Sequence, residues 1–319
     1  MKDDFVRYLE RNKKKSFYIV PILVGNSGDF LLRTGLSLYL EENEFKIIDN
    51  IEKADIILFH GGSHINDIYN IGIPVFKKIL QKNYKNKRIV VAPHTFCFSK
   101  TDFKSILISC KQEIHLFARD EYSFKELECI KPERNVRIYL ANDTAFMLQN
   151  TSYLERIRNR CKNDYALISL RADRESRLLE SSILSRFLGI IFRFYDSVKL
   201  LQHNERNSYK SPPRLSKWKT FTGFVRQSYT KYMVKEFIQK NIKLPKSQPK
   251  IIIDASLKDY PTFVNLIANA SEIYTDRLHV SILGAMLGKR VYLYPDKYDK
   301  IKGVYEQSLL DYPNVIKKF

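Results

Sequence analysis

The residues best suited to chemistry in this sequence lie in one short segment, Asp276-Arg277-Leu278-His279. The segment follows an apolar run and precedes another, so it is expected at the start of a helix. An arginine and a histidine two residues apart would place a planar cation and a titratable imidazole beside unpaired backbone N–H groups. Such a site suits an anion that carries both phosphate and carboxylate. Taken alone, a salt-bridged Asp–Arg pair and a capping histidine explain the segment equally well.

A glycine-containing loop near the N-terminus supplies further polar groups. Gly25-Asn26-Ser27-Gly28-Asp29 follows a predicted strand and precedes a predicted helix. Its glycines permit a tight turn and a close approach of the backbone to a ligand, whereas Asn26 and Asp29 supply hydrogen-bonding side chains. The loop is neither the G-x-G-x-x-G dinucleotide fingerprint nor a P-loop, so NAD and P-loop nucleotides are disfavoured as ligands.

A second loop of small residues follows the next predicted strand. Gly61 and Gly62 again allow the backbone to approach a ligand, and His64, Asn66 and Asp67 are candidate binding residues. The histidine at position 60, immediately before these glycines, is interpreted as a hydrogen-bonded structural residue.

Other polar residues also follow predicted strands. We interpret Arg119-Asp120 as an ion pair at a helix start and Asn142-Asp143 as a helix cap. In the second half of the chain, Arg171 follows a predicted strand, with Asp173 and Glu175 next in the same loop. Ligands of open parallel sheets bind beyond the carboxyl ends of the strands, so these loops are where chemistry is expected.

The apolar runs that must position these loops alternate between strand-like and helix-like spacing. In the first half we predict strands at 17–24, 56–59, 88–92, 114–118 and 136–140, and helices at 29–40 and 73–81. In the second half we predict strands at 166–170, 251–254, 273–275 and 291–294, and helices at 260–270 and 280–287. Such alternation implies parallel sheets with helical crossovers. The sequence therefore predicts an α/β protein with two Rossmann-like domains, 1–155 and 156–319, that face a cleft.

Residues 178–250 differ from the rest of the second half, and we predict that they form a basic helical insertion. Apolar residues follow helical spacing through 178–201, and 206–250 contains twelve basic residues against one acidic residue. A wide apolar face next to a polybasic segment is typical of a helix that lies in an anionic membrane surface. The alternative is a helix packed on the second domain, as in most soluble proteins.

Composition limits the classes of protein that remain. A chain of 319 residues is long enough for two domains with ordinary cores. Neither an apolar run of about 18 residues nor a secretory signal is present, so we expect a cytoplasmic protein, peripheral to the membrane if the insertion docks there. The four cysteines and six histidines lack metal-ligand spacing, so no metal is expected. The net charge of +19 raises nucleic-acid binding as a rival hypothesis, but that hypothesis leaves the acidic and glycine-containing loops unexplained, so no nucleic-acid partner is expected.

Taken in order along the chain, these loops resemble the polysaccharide pyruvyl transferase family. The resemblance covers nearly the whole chain except about residues 178–250. It is carried by Gly28-Asp29, His60-Gly61-Gly62, Arg119-Asp120, Asp143, the Arg171, Asp173 and Glu175 spacing, and Asp276-Arg277-Leu278-His279. It implies two Rossmann-like domains in a GT-B-like arrangement, with the acceptor side in the first domain and the donor side in the second. It further implies phosphoenolpyruvate as donor and a saccharide that becomes a pyruvate ketal, without a cofactor.

The resemblance also implies roles for individual residues. The family's donor-binding residues fall on Arg171, Arg277 and His279, with the Leu278 backbone alongside. His279 is expected to contact phosphate or to move a proton. Asp29 and Asp67 are the candidates for activating or positioning an acceptor hydroxyl. The remaining acceptor-side candidates are Asn26, Gly28, Gly61, Gly62, His64 and Asn66.

Two departures from the family pattern leave room for a changed donor or acceptor. The family usually has glycine where this chain has Val280, which we expect to narrow the donor pocket. Its Gly-Gly-Gly-Asn loop is replaced by Gly61-Gly62-Ser63-His64, which we expect to alter the acceptor side. The main alternative function is a GT-B glycosyltransferase that uses a nucleotide sugar, because fold does not fix function. A lipid-linked acceptor is a further hypothesis, prompted by the predicted membrane-docking insertion.

Overall fold

The computed structural model describes residues 3–21, 25–69, 71–82, 84, 86–171, 234–245, 247–297 and 299–319. The first half contains α1 (Asp4–Arg11), β1 (Ser16–Ile19), α2 (Ser27–Glu42), β2 (Lys46–Ile47), a 3-10 turn (Ile51–Lys53), β3 (Ile56–Phe59), α3 (Gly72–Lys82), β4 (Arg88–His94), α4 (Phe103–Ile108), β5 (Ile114–Ala118), α5 (Glu121–Ile130), β6 (Val136–Leu140), a 3-10 segment (Thr144–Asn150) and α6 (Ser152–Arg158). The second half contains β7 (Tyr165–Ser169), α7 (234–241), β8 (Lys250–Ile252), a 3-10 turn (Ala255–Leu257), α8 (Tyr260–Ala268), β9 (Ala270–Thr275), α9 (Leu278–Met286), β10 (Arg290–Leu293), α10 (Lys300–Val304), a π-helical turn (Tyr305–Leu309) and β11 (Val315–Lys317).

Two parallel sheets organise these elements, as the alternating pattern predicts. The first has six strands in the order β2-β1-β3-β4-β5-β6, and the second has five in the order β11-β10-β9-β7-β8. Every strand pair is parallel. Because β3 and β4 are buried along almost their whole length, their sequences are continuous apolar runs rather than alternating ones.

Both sheets have the same doubly wound topology. In the first sheet β1 lies between β2 and β3, and in the second sheet β7 lies between β8 and β9. The chain therefore adds its next strands on opposite sides of β1 and of β7. This topological switch lies between β1 and β3 in the first sheet and between β7 and β9 in the second. Such a switch opens a crevice at the carboxyl ends of the two strands, and ligands bind there.

A shared apolar core joins the two halves. Leu31 and Leu32 of α2 belong to the same cluster of buried side chains as Leu278 and Leu283 of α9, and all four are at most 5% exposed. Burial of this kind stabilises by about 25 cal/mol for each Å² of apolar surface removed from water. The N-terminal ends of α2 and α9 are therefore held together by packing, and this places the loops before the two helices side by side.

The predicted insertion is covered by the structure only in its last part, since 172–233 lies outside the described residues. Helix α7 is described, and Val234 and Ile242 are buried against the second sheet in a cluster with Ile168 and Tyr294. Residues 234–244 thus pack on the second half, and β8 begins at Lys250. The hypothesis that 178–250 docks to a membrane stays a prediction. Among the described residues, no helix combines the length and the apolar character that crossing a membrane requires.

Candidate active site

One cavity of about 300 Å³ lies where the two topological switches meet. We call it the main cavity. Its walls come from the loops after β1 and β3 in the first half and from the loops after β7, β8 and β9 in the second. The residues that line it are Gly25, Asn26, Asp29, Arg33, His60, Gly61, Ser63, His64, Tyr69, Ile71, Arg119, Arg171, Ser256, Arg277, Leu278, His279 and Lys300.

The loop after β1 is held by a reciprocal cap on helix α2. The Asn26 side chain accepts the Gly28 N–H at 2.8 Å, and Asp29 Oδ2 accepts the Asn26 N–H at 2.8 Å. These bonds satisfy backbone donors at the helix start that have no partner within the helix. Both side chains also line the main cavity. The same residues therefore shape the loop and present an amide and a carboxylate to a ligand.

The loop after β3 requires glycine because it runs against the end of β4. A Cβ atom on Gly61 would lie 2.6 Å from the Pro93 carbonyl oxygen, and Gly62 has a φ of +130°. The Gly62 N–H donates to the same Pro93 oxygen at 3.1 Å. The two glycines thus fix the path of the loop, and Gly61 lies at the cavity wall while Gly62 lies behind it.

The second switch places Arg171 beside the Asp276-Arg277 segment. Asp276 is buried, and its Oδ1 accepts the Arg171 N–H at 2.7 Å, which ties the loop after β7 to the loop after β9. Burial raises the pKa of Asp276 to about 7, although the charges of Arg171 and Arg277 oppose the shift. The first carboxylate of the sequence motif therefore holds two loops together behind the cavity wall rather than contacting a ligand.

Arg277 is oriented by a carboxylate that the sequence did not single out. Its Nε donates to Asp254 Oδ1 at 3.1 Å, and its Nη2 donates to Asp254 Oδ2. The two parallel bonds fix the plane of the guanidinium group. Both side chains are largely buried, at 8% and 13% exposed, so the pair is weakly screened by solvent. Arg277 is thereby presented to the main cavity in one orientation.

His279 lies between the two halves of the protein. Its Nε2 is 3.6 Å from Asp143 Oδ2, slightly beyond hydrogen-bonding distance, and the same oxygen accepts from Arg119 Nη1 at 2.8 Å. Burial opposes ionisation of Asp143, but His279 and Arg119 outweigh it and lower the pKa of Asp143 to about 2. A carboxylate that stays ionised attracts an imidazole N–H and so favours one orientation of the ring. Asp143 and Arg119 come from the first half, so the histidine is positioned across the domain boundary.

The opposite edge of the imidazole faces helix α2. A Cβ atom on Gly28 would lie 2.4 Å from His279 Nδ1 and 2.9 Å from its Cγ, closer than atoms in contact normally approach. Glycine at position 28 therefore makes room for the ring. Gly28 does not itself line the cavity, but it belongs to the site because it lies against the His279 ring.

The electrostatic character of the main cavity is positive. Among the residues that the structure describes, five permanent cations line it, Arg33, Arg119, Arg171, Arg277 and Lys300, against one carboxylate, Asp29. Three acids behind the wall offset part of this charge: Asp143 and Asp254 pair with Arg119 and Arg277, and Asp276 accepts the backbone N–H of Arg171. Even with all three ionised, positive groups outnumber negative ones. Such a site attracts a compact anion and can hold it through charge-assisted hydrogen bonds.

The histidines of the loop after β3 are kept neutral by their surroundings. Burial and the nearby Arg33 lower the pKa of His60 to about 4, and burial with the charges of His60, Arg33 and Arg119 lowers that of His64 to about 3. Both rings line the main cavity. They offer a ligand one donor and one acceptor nitrogen each and no charge at neutral pH.

Most of the residues singled out in the sequence meet at this cavity. The described positions that line it are Asn26, Asp29, Gly61, His64, Arg171, Arg277, Leu278 and His279. Gly28 and Gly62 lie immediately behind its wall. Asp173 and Glu175 lie outside the described residues. Helix α9 begins at Leu278, so its N-terminal N–H groups and positive dipole end point toward the cavity.

Two predicted residues take other positions. Asp67 Oδ2 accepts the N–H groups of Ser99 and Thr101 at 2.7 and 3.0 Å, so its carboxylate holds the loop after β4. Asn66 is fully buried, and its Nδ2 donates to the Thr95 carbonyl oxygen at 3.2 Å. Neither lines the main cavity. These contacts favour a structural task for Asp67, whose suggested catalytic role stays a prediction, whereas Asn66 lines a second, adjoining cavity.

The expected effect of Val280 is wrong. Its side chain is 0% exposed and belongs to the apolar cluster between α2 and α9, away from the cavity lining. The reason is helical geometry, since the residue after His279 on α9 points to a different side of the helix. Val280 therefore fills the core and does not narrow the pocket.

Several cavity residues were missed or interpreted only as structural. His60 lines the cavity, and Arg119 does so while also forming the expected internal ion pair, although its partner is Asp143 rather than Asp120. Arg33 is one helical turn after Asp29, so helical spacing was a signal that could have found it. No local signal marks Lys300, which is the first residue of α10 and reaches the cavity from there.

Comparison with known proteins agrees with this architecture. A functionally uncharacterized protein from Klebsiella pneumoniae is similar over 100% of both chains, with 18% identity and a TM-score of 0.59, which shows the shared fold. A UDP-GlcNAc 2-epimerase from Methanocaldococcus jannaschii matches 95% of this chain and 88% of its own, with 14% identity and a TM-score of 0.39. No curated protein matches the chain. The family model for polysaccharide pyruvyl transferase matches residues 3–296, and the chain belongs to that family.

Proposed function

We propose that the protein transfers the enolpyruvyl group of phosphoenolpyruvate to a saccharide and forms a pyruvate ketal during the synthesis of a cell-surface polysaccharide. The observation that carries this proposal is the main cavity, where Arg171, Arg277 and His279 meet the N-terminus of α9. Phosphoenolpyruvate is small and carries a phosphate and a carboxylate on the same carbon atom. The guanidinium groups of Arg171 and Arg277 can each take one of these anions in a bidentate contact.

The chemistry assigned to the site balances as follows. The methylene carbon of phosphoenolpyruvate gains a proton and becomes a methyl group, and the neighbouring carbon becomes an electrophile. One sugar hydroxyl attacks this carbon, phosphate leaves with the electrons of its C–O bond, and a second hydroxyl closes the ketal. The two sugar hydroxyls release two protons. One of them restores the proton that the general acid gave to the methylene carbon, and the other leaves with phosphate or enters the solvent.

Each named residue has a part in this sequence of steps. Arg171 and Arg277 stabilise the charge that grows on the leaving phosphate, as preorganised cations do in other transfer reactions. His279, oriented by Asp143, donates the proton to the methylene carbon or supports the phosphate. Asp29 lies at the wall supplied by the first half and accepts the proton of the attacking hydroxyl. No step in this scheme requires a metal ion or a nicotinamide.

The donor is tested by thermal unfolding of the purified protein with phosphoenolpyruvate and, separately, with a panel of nucleotide sugars. A ligand that binds only the folded state raises the midpoint, by an amount set by its concentration relative to Kd. We expect phosphoenolpyruvate to raise the unfolding midpoint and the nucleotide sugars to leave it unchanged. A rise with a nucleotide sugar and none with phosphoenolpyruvate would instead favour a glycosyltransferase on the same scaffold.

Variants of Arg277 separate donor binding from general destabilisation. Arg277→Lys keeps the charge beside Asp254 but loses the fork of parallel hydrogen bonds, so the shift with phosphoenolpyruvate should shrink strongly. Arg137→Ala is the matched control, because Arg137 is 62% exposed and pairs with Glu113 away from the cavity. An undiminished shift in Arg277→Lys would remove Arg277 from the donor site.

A further inference from the structure

A second cavity adjoins the main one, and the proposed function leaves it unassigned. It has a volume of about 130 Å³, and we call it the side cavity. The two cavities share Ser63, Tyr69 and Lys300 in their walls. A molecule that occupied the side cavity would therefore reach the edge of the main one.

The lining of the side cavity differs in chemistry from that of the main cavity. Three aromatic rings, Tyr69, Phe96 and Tyr122, contribute to its walls, together with the carboxyl groups of Asp120, Glu126 and Asp299. Among the described residues, Lys300 is the only cation in this lining, and it lies on the boundary with the main cavity. Positive charge is thus concentrated on one side of Lys300 and negative charge on the other.

The aromatic wall is built into the fold rather than being a mobile surface feature. Tyr122 lies in the first turn of α5 and is 46% exposed. A Cβ atom on Gly303 would lie 2.9 Å from Tyr122 Cδ2, so α10 of the second half packs directly against the ring. Lys302 also lies over this ring, 5.9 Å from its centroid. One face of Tyr122 is therefore fixed by contacts across the domain boundary.

The carboxyl groups of this wall differ in their freedom to bind a ligand. Asp120 caps α5, with its oxygens accepting from the Ser123 N–H at 2.7 Å and from the Ser123 hydroxyl at 2.9 Å. Glu126 Oε1 accepts the Phe98 N–H at 3.0 Å. A carboxylate has about four acceptor positions, so Glu126 retains capacity for hydroxyl donors.

We propose that the side cavity is the subsite for the sugar ring of the acceptor, and that it selects sugars without an acidic group. This inference rests on the proposed function. The apolar C–H face of a sugar ring packs against aromatic rings, and its hydroxyl groups donate to carboxylates. A uronic acid would place a third negative charge beside Glu126 and Asp299, which costs free energy in a partly buried site. Lys300, on the boundary, lies where the donor's phosphate and the acceptor's hydroxyl pair meet.

The subsite is tested by saturation-transfer NMR on the full-length protein with phosphoenolpyruvate present. The probes are methyl galactoside, methyl glucosaminide and methyl galacturonide. We expect saturation of the first two sugars and at least a tenfold weaker signal from the galacturonide. Equal signals from the three sugars, or none from any of them, would overturn the proposal.

Variants locate the binding to the side cavity. Tyr122→Ala should abolish sugar saturation, and the double variant Glu126→Gln, Asp299→Asn should raise the galacturonide signal toward that of the galactoside. Glu121→Gln is the matched control, because Glu121 also lies on α5 but pairs with Lys125 outside the cavity. Sugar saturation that survives Tyr122→Ala, or rejection of galacturonide that survives the double variant, contradicts the assignment.

The two proposals can fail separately. Tyr122 lies outside the main cavity, so Tyr122→Ala should leave the midpoint shift with phosphoenolpyruvate unchanged. Absence of that shift in the unmodified protein contradicts the proposed donor. Loss of sugar saturation in Tyr122→Ala, with the phosphoenolpyruvate shift intact, reports on the side cavity.

Discussion

The substitution Gly28→Ala tests whether the position of His279 governs the chemistry. The added Cβ atom would lie 2.4 Å from Nδ1, and ordinary van der Waals contact begins near 3.4 Å, so the ring must move by about 1 Å. The movement is constrained on the other side by Asp143, whose Oδ2 lies 3.6 Å from Nε2. A misplacement of about 1 Å can cost about a hundredfold in rate.

Stability should change far less than activity in this variant. Gly28 is the second residue of α2, where alanine has a better helix propensity than glycine by up to about 1 kcal/mol. That gain offsets part of the clash with the imidazole. We therefore expect a folded protein with a near-normal unfolding midpoint and a turnover reduced by about a hundredfold.

The assay measures phosphate release from phosphoenolpyruvate in the presence of an accepted saccharide, together with the donor-induced midpoint shift. Gly288→Ala is the control, because its Cβ atom would meet nothing within 4 Å. Its φ of +72° makes this control slightly destabilising without touching the cavity. Normal turnover and a normal donor shift in Gly28→Ala would refute the reasoning, since the ring would then tolerate displacement or be uninvolved.

Three further predictions concern buried titratable side chains. Asp143→Asn leaves the fully buried Arg119 without its charge partner and should lower the free energy of unfolding by about 3–5 kcal/mol in urea titrations, whereas a loss under 1 kcal/mol would contradict the pairing. Asp254→Asn keeps one hydrogen bond to Arg277 but removes the negative charge, so the apparent Kd for phosphoenolpyruvate should rise about tenfold. An unchanged Kd would show that Arg277 needs no orienting partner. Burial lowers the pKa of His60 to about 4 and that of His64 to about 3. Below about pH 6.5 these histidines are therefore protonated in the unfolded chain but still neutral in the folded protein. Stability should therefore fall by about 2 kcal/mol for each histidine between pH 7.5 and 5. His64→Asn should reduce that fall, and equal pH dependence in the variant would disprove the assignment.

Local pattern was sufficient for most of the secondary structure. The strands predicted at 56–59, 114–118 and 136–140 match β3, β5 and β6, because buried parallel strands are short runs of apolar and β-branched residues bounded by polar loops. The first strand was predicted too long, since β1 ends at Ile19 and the residues 22–24 lie outside those described. Helix α1 was missed, although Asp3 caps it by accepting the Phe5 N–H at 3.0 Å.

The candidate site was predictable where its residues follow strands directly. Arg171 and Arg277 belong to this group, and Asn26 and Asp29 lie at the start of the helix that follows β1, because the carboxyl ends of parallel strands converge at a topological switch. Asp67 shows the limit of this reasoning. It also follows a strand, but its carboxylate turns away and caps the loop at 99–101. The sequence places a residue in a loop, and the direction of the side chain depends on backbone donors elsewhere in the chain.

The α/β class, the loops that carry polar residues and the resemblance to the family could all be read from the order and spacing of residues along the chain. Which carboxylates orient the cations depends on contacts distant in sequence: Asp143 and His279 are 136 positions apart and meet because the Thr144–Asn150 segment packs in one core with α9. Only the tertiary structure decided this, and it also revealed the side cavity, whose wall combines Tyr122 with Asp299 from the other half. The physical reason is that strand order and domain packing are set by burying the apolar faces of entire helices and sheets against one another. No local pattern of residues specifies which faces meet.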